Sequence, residues 1–141
     1  MLYPAQFIKD KDSDFYVVIF PEIPEALTQG KTIEEAKIYA QDALITALDF
    51  YFEDNRPIPL PPERELMEDE EYISLPLSVW AKVLLLNTML EQKVNQSDLA
   101  KRLHKPRQEV QRIINLEHTT KIDTIVDALH ALGKETKLSL I

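Results

Sequence analysis

"QSDLAKRLHKPRQEVQRIIN" (Gln96–Asn115) has the spacing of two short helices joined by a tight turn. Leu99 and Leu103 stand i, i+4 on one face of the first helix. Ala100 falls where a second helix must come close, and a large side chain there would push the two apart. Val110 and Ile113 supply the inward face of the second helix. Pro106 is placed in its first turn, where a missing N–H costs nothing. Matching positions at fixed spacing make this a helix-turn-helix. Two positions depart from the usual pattern: His104 takes the place of the turn's glycine, and Lys105 that of an apolar residue.

The outward residues have the chemistry of a duplex reader. Lys101, Arg102, Lys105, Arg107 and Arg112 are basic, and Gln108 and Gln111 are amides. Arginine pairs bidentately with guanine and glutamine with adenine in the major groove. The start of a recognition helix reaches the base edges, so Arg107, Gln108 and Gln111 are the expected base readers. Gln96, Ser97 and Arg112 are the expected phosphate contacts. The plainer alternative is a solvated helical hairpin, and the matched spacing favours the DNA module. Every Phe, Tyr and Trp lies at or before Trp80, which argues against single-strand stacking as the mode of this half.

Working outward, the flanking sequence is helical. "SVWAKVLLLNTMLEQK" (Ser78–Lys93) is apolar around most of its circumference and must be buried on several sides, within its domain or against another subunit. A further helix is predicted at Asp123–Leu132, ended by Gly133, and the terminal "KLSLI" alternates like a strand.

The first half differs in composition. "YPAQFIK" (Tyr3–Lys9) alternates weakly, and "FYVVIF" (Phe15–Phe20) predicts a strand covered on both faces. "ALTQG" is a candidate third strand, closed by Gly30. Thr32 and Glu35 form a capping-box pattern in which each side chain meets the other's free backbone N–H. Behind it, Ile33, Ala36, Ala40, Ala43, Leu44, Ala47, Leu48 and Tyr51 run at helical spacing to about Asp54. "RPIPLPPERELMEDEE" (Arg56–Glu71) holds four of the nine prolines and an acidic cluster, and reads as a loop or linker. "EYISLP" is a candidate fourth strand. The prediction is an α+β chain: a small antiparallel sheet with one helix over residues 1–75, with a Pro-rich acidic loop at 55–71, then an all-α domain over 76–141. So small a sheet needs help from a partner.

Charge divides at the same place. Residues 1–75 hold 6 Lys and Arg against 17 Asp and Glu, a balance of −11, while residues 76–141 hold 10 against 7, a balance of +3. An acidic half and a basic half imply different partners. There is no cysteine, which fits a reducing compartment and removes disulfides, thiolate zinc sites and cysteine nucleophiles. No basic-then-apolar leader and no run of about 20 apolar residues is present, so a cytoplasmic protein is expected.

Other constellations carry less. Asp10, Asp12 and Asp14 have a calcium-loop beginning, but the required glycine is Phe15 and the bidentate glutamate position is Pro21, so a hairpin turn is expected. A two-metal nuclease site would have to be built from Asp10 with Asp42 or Asp49, and no histidine lies in this half for proton transfer. His104, His118 and His130 lack metal-ligand spacing. Trp80 and the Leu84–Leu86 run read as core or dimer interface. No catalytic residue, metal or cofactor is expected.

With "YPAQF", "FYVVIFPEIPEALTQGKTIEEA" and "AQDAL" followed by the helix-turn-helix, the chain resembles the HicB antitoxins of bacterial HicA–HicB toxin–antitoxin systems, in the version with a C-terminal helix-turn-helix. The family's usual P-D-[LI]-P-G stands here as Pro21-Glu22-Ile23-Pro24-Glu25, departing at two positions. The resemblance implies a partial RNase H-like N-terminal fold without catalysis, which binds a small basic RNA-cleaving HicA toxin and blocks its active site. Glu22 and Glu25 are the candidate toxin contacts. It also implies operator binding by a homodimer or larger assembly and repression of the chain's own operon. The rival reading is a free-standing transcription regulator with a ligand-sensing N-terminal domain.

Overall fold

The computed structural model describes residues 2–141, in the order β1 (Leu2–Lys9), β2 (Tyr16–Ile19), β3 (Leu27–Gly30), α1 (Ile33–Glu53), β4 (Glu70–Ser74), α2 (Leu77–Gln92), α3 (Gln96–Leu103), α4 (Arg107–Ile113) and α5 (Ile122–Ala131). The fold is α+β. The chain separates into two units: Met1–Tyr51 with Ile58–Pro76, and Phe52–Pro57 with Leu77–Ile141.

The first unit is an antiparallel sheet of order β3-β2-β1-β4. Register sets its two faces. Tyr3 lies opposite Ile73, Phe7 opposite Val18 and Val18 opposite Thr28, so one face collects Tyr3, Ala5, Phe7, Val18 and Ile73, all buried. Ala36, Ala40, Leu44, Ala47, Leu48 and Tyr51 are the buried stripe of α1. Small residues let that helix sit low. At Gly30 the approach is closest: an added Cβ would stand 2.6 Å from the Ala36 nitrogen and 2.7 Å from its Cα.

The opposite face of the sheet carries Ile8, Val17, Ile19, Leu27 and Tyr72, and Ile8, Leu27 and Tyr72 are exposed. The expectation that β2 is covered on both faces is therefore corrected. Only Val18 is fully buried within the strand, while Tyr16, Val17 and Ile19 keep part of their surface. A run of β-branched and aromatic residues fits a pleated surface whether its second face is covered or open.

The caps differ from the expected pattern in one detail. Thr32 Oγ1 accepts from the Glu35 N–H at 3.1 Å, but the Glu35 carboxylate reaches past Thr32 and accepts from the Lys31 N–H at 2.7 Å. The Pro-rich stretch is a loop that the sheet holds in place at several points. Ile58 is buried, the Tyr3 hydroxyl donates to Pro59 O at 2.8 Å, and Gln6 Nε2 donates to Asp69 at 2.5 Å. Arg64 grips the buried Glu70 carboxylate with two hydrogen bonds of 2.6 and 2.8 Å, and the Met67 N–H adds a third at 2.8 Å. The Arg64 guanidinium and the Met67 N–H hold the Glu70 carboxyl down at about 2. A carboxyl lowered on folding stabilises the fold above its ordinary value near 4.5, and that contribution is lost as pH falls toward 2. Thermal melts between pH 5 and 2.5 are expected to show a decline that Glu70→Gln flattens; an equally steep decline in the variant contradicts this role.

The second unit closes around Leu85, Met89, Leu99, Ala100, Val110, Ile113, Ile125, Ala128 and Leu129. Helix α2 is buried on several sides, as its sequence requires, with Leu85 and Leu86 fully enclosed and Leu84 and Trp80 partly so. "KLSLI" forms no strand here; it is irregular and exposed, with Leu140 96% accessible. Alternation makes a strand only against a partner strand, and the described residues of one chain offer this tail none.

Candidate nucleic-acid interface

The start of α3 is fixed by a capping box that the sequence reading missed. Asn95 Oδ1 accepts from the Asp98 N–H at 2.8 Å, and Asp98 returns the bond to the Asn95 N–H at 3.2 Å. The signal was an Asn followed three residues on by an acid, with Asp in place of the usual Glu. The helix ends at His104, which is left-handed at φ 54°, ψ 42°. Its N–H donates to Lys101 O, and the Lys105 N–H reaches back to Ala100 O, a Schellman closure. A left-handed residue with a Cβ costs roughly 1–2 kcal/mol. His104→Gly is thus expected to raise stability by about 1 kcal/mol, read as a higher melting temperature; an unchanged or lower one would show that the turn is unstrained.

Pro106 is the N-cap of α4, one position earlier than expected, with φ −62° and ψ 148°. Its fixed φ suits the extended entry, and its missing N–H is still no loss there. Leu99, Ala100, Val110 and Ile113 are buried and lock α3 against α4.

This leaves the outward face free. Arg107, Gln108, Gln111 and Arg112 are all exposed. Gln108, Gln111 and Arg112 line one open concavity, together with Asn115. Asn115 was not among the candidates, although its place seven residues after Gln108 puts it on the same helical face. Arg107, one turn before Gln111 on the same helix, also lines a second concavity with Lys93, Asn95 and Gln96. Gln96 and Ser97 are half-buried, and Gln96 Oε1 is buried without a hydrogen-bond partner. A third concavity joins Arg112 to Thr119, Thr120, Lys121 and Thr124 at the start of α5. Those hydroxyls and that lysine are donors suited to phosphate, and no periodic pattern marks them in the sequence.

Beneath this face lies Lys82 of α2, only 2% exposed. Its Nζ donates to His118 O at 2.5 Å and Asn115 O at 2.6 Å, with Arg112 O at 3.5 Å. Burial pushes its pKa down to about 8.

In the acidic unit, Glu22 and Glu25 lie in the β2–β3 connection, which is pinned by buried Ile23 and Ala26. Glu25 is exposed and accepts from the Tyr51 hydroxyl at 2.8 Å. Glu22 is half-buried, and its Oε2 is enclosed without a hydrogen-bond partner. The structure separates the two: Glu25 borders an open groove with Leu27, Tyr39, Asp42 and Phe50, whereas Glu22 does not. Asp10 closes the first hairpin through the Asp12 N–H and the Ser13 hydroxyl, which lower its pKa. No group of three or more His, Cys, Asp or Glu suited to a metal occurs among the described residues. No helix there is long and apolar enough to cross a membrane.

A family model described as a HicB-like antitoxin of bacterial toxin–antitoxin systems matches residues 2–84. Relatives matched over most or all of their length agree. "Antitoxin HicB" of Escherichia coli K12 is 53% identical over 141 residues, covering all of both chains. "Antitoxin HicB 2" of Photorhabdus laumondii is 52% identical over 141 residues, all of this chain and 97% of that one. "Antitoxin HicB" of Pseudomonas fluorescens Pf0-1 is 41% identical over 119 residues, 84% of this chain and 81% of that one. The chain belongs to the HicB-like antitoxin family.

Proposed function

We propose that this chain is a bifunctional antitoxin and autorepressor. Residues 1–75 bind and block a HicA-type mRNA-cleaving toxin, and residues 76–141 bind operator DNA as a homodimer or larger assembly. The observation that carries the reading is an antitoxin-family chain whose second unit displays Arg107, Gln108, Gln111 and Arg112 on an exposed helix-turn-helix face.

The toxin half is supported by charge and by open apolar surface. An acidic unit at −11 attracts a basic protein and competes with RNA phosphates for it. Ile8, Leu27 and Tyr72 on the outer sheet face, and Tyr39 and Phe50 beside β3, are exposed apolar groups of the kind a protein partner covers. Co-expression of the full chain with a neighbouring gene for a short basic protein is expected to yield a co-purifying complex. Failure to co-purify with that neighbour, at low and at moderate salt, would sink the neutralising claim.

The DNA half predicts a two-fold footprint. A dimer places two recognition helices in successive major grooves, so protected half-sites should be about 34 Å, or a multiple, apart. A single isolated half-site contradicts it. The candidate dimer elements are α2 and the exposed "KLSLI" tail, whose free backbone and apolar Leu138 and Leu140 suit pairing with a second copy. Removal of the tail is expected to halve the mass seen by light scattering; an unchanged mass would assign dimerisation elsewhere.

A further inference from the structure

Lys82 is a cation where a hydrophobe would be cheaper for the fold. Desolvation lowers its pKa, with no ion pair among the described residues to offset it, and burying an ammonium without a counter-charge is costly. The chain nonetheless bonds its ammonium to two backbone oxygens, Asn115 O at 2.6 Å and His118 O at 2.5 Å, with Arg112 O at the margin at 3.5 Å. These oxygens belong to the last turn of α4 and the turn that follows, where helix carbonyls lack helical partners and a positive charge suits the dipole. Charged and titratable groups on the segments packed around it are Glu109, Arg112, Glu117, His118 and Lys121 on the α4 side and Asp123, Asp127 and His130 on α5; all are exposed, as is Glu91 on α2 itself.

The same carbonyls also have local donors. The Asn115 N–H reaches Arg112 O at 3.2 Å, the His118 N–H reaches Asn115 O at 3.1 Å, and Thr120 Oγ1 reaches His118 O at 3.4 Å. The turn can therefore form without Lys82. What only Lys82 adds is a bond from that turn to α2. The tethered backbone carries Arg112 and Asn115 and leads directly into Thr119, Thr120 and Lys121, the groups lining two of the concavities on the outward face.

We propose that Lys82 is a positioning residue for duplex binding: its ammonium fixes the end of α4 and the 115–118 turn relative to α2, and so sets where Arg112, Asn115 and Lys121 stand against the phosphate backbone. This rests on the DNA-binding reading above. Buried as it is, Lys82 meets no phosphate itself.

The test uses the full chain with Lys82→Met and Lys82→Gln. Three quantities are measured: amide hydrogen exchange without DNA, affinity for a duplex from the promoter region of the chain's own gene, and the salt dependence of that affinity. Both variants are expected to keep their helical content. Exchange of the Ile113–Thr120 amides should rise about tenfold while α3 stays protected. Affinity should fall about tenfold, and the slope of log K against log salt should become shallower by about 1, because a phosphate contact is displaced. A loss of global stability alone would not change that slope. Unchanged exchange at 113–120, or weaker binding with an unchanged slope, overturns the proposal. Should neither variant fold, the wild type is compared at pH 7 and 9.5 after correction for intrinsic exchange. A neutral amine loses the charge that strengthens its bonds to these carbonyls, so protection at 113–120 should drop, and constant protection overturns the tether. A wild-type chain that binds no duplex defeats the DNA reading, whereas the exchange arm, run without DNA, reports on the tether separately.

Discussion

Gly30→Ala is expected to disrupt the N-terminal unit more than any other single-methyl change in it. The new Cβ would meet the Ala36 nitrogen at 2.6 Å and Cα at 2.7 Å. Both are backbone atoms, so no rotamer change relieves the clash, and β3 or the first turn of α1 must move. Overpacking of this kind costs about 1–3 kcal/mol, and more when backbone is displaced. A four-stranded sheet with one helix has little margin to absorb it. The displaced parts also border the groove at Glu25, Leu27 and Tyr39, so partner binding should weaken with the fold. Gly133→Ala is the control. Nothing lies within 4 Å of its added Cβ, and only the backbone at φ +78° opposes the change, at roughly 1–2 kcal/mol. Denaturant unfolding of the full chain, followed by far-UV dichroism, compares the two. A Gly30→Ala chain as stable as the wild type would mean that β3 and α1 are not so close.

Arg107→Ala is the second large expectation. The side chain is exposed on the first residue of α4, where a recognition helix reaches the base edges. A bidentate guanine contact is worth about 1–3 kcal/mol of discrimination. The variant should bind its operator roughly 5- to 150-fold more weakly and lose preference at one base pair. Arg112→Ala should instead weaken all sequences alike and make the salt dependence shallower by about one unit. Gel-shift titrations on single-base operator variants distinguish the two. Equal losses on every variant would make Arg107 a phosphate contact rather than a reader.

The helix-turn-helix was legible because its signal is local. Leu99, Ala100, Val110 and Ile113 act within twenty residues, and 3.6-residue periodicity shows directly in the chain. The capped start and alanine-lined stripe of α1 were legible for the same reason. What the sequence hides is whatever depends on a partner segment. Lys82 reads as one polar break in an apolar helix, and only the turn beyond α4 explains it. Glu70 looks like one member of an acidic cluster until Arg64 folds back onto it. The sidedness of β2 depends on which faces its neighbours leave open, and alternation in "KLSLI" says nothing about whether a second strand is at hand. Glu22 and Glu25 look equivalent in the PEIPE motif, yet one turns partly inward and the other remains at the surface.

The pairing of β1 bears on the order in which the molecule matures. One side of β1 zips to β2 through a short hairpin, but the other is joined to β4 in a register that brings Leu2 beside Ser74. On a ribosome the sheet cannot finish until the Pro-rich loop and β4 have emerged, and such distant pairing is slow to form. The helices of the second unit meet over shorter separations: α2 packs on α5, with Gln92 bonded to Leu132 40 residues on, and α3 packs on the adjacent α4, which is the faster route. In a newly made molecule, therefore, the helical unit is expected to settle quickly once synthesised, while completion of the four-stranded sheet waits on its most distant pairing.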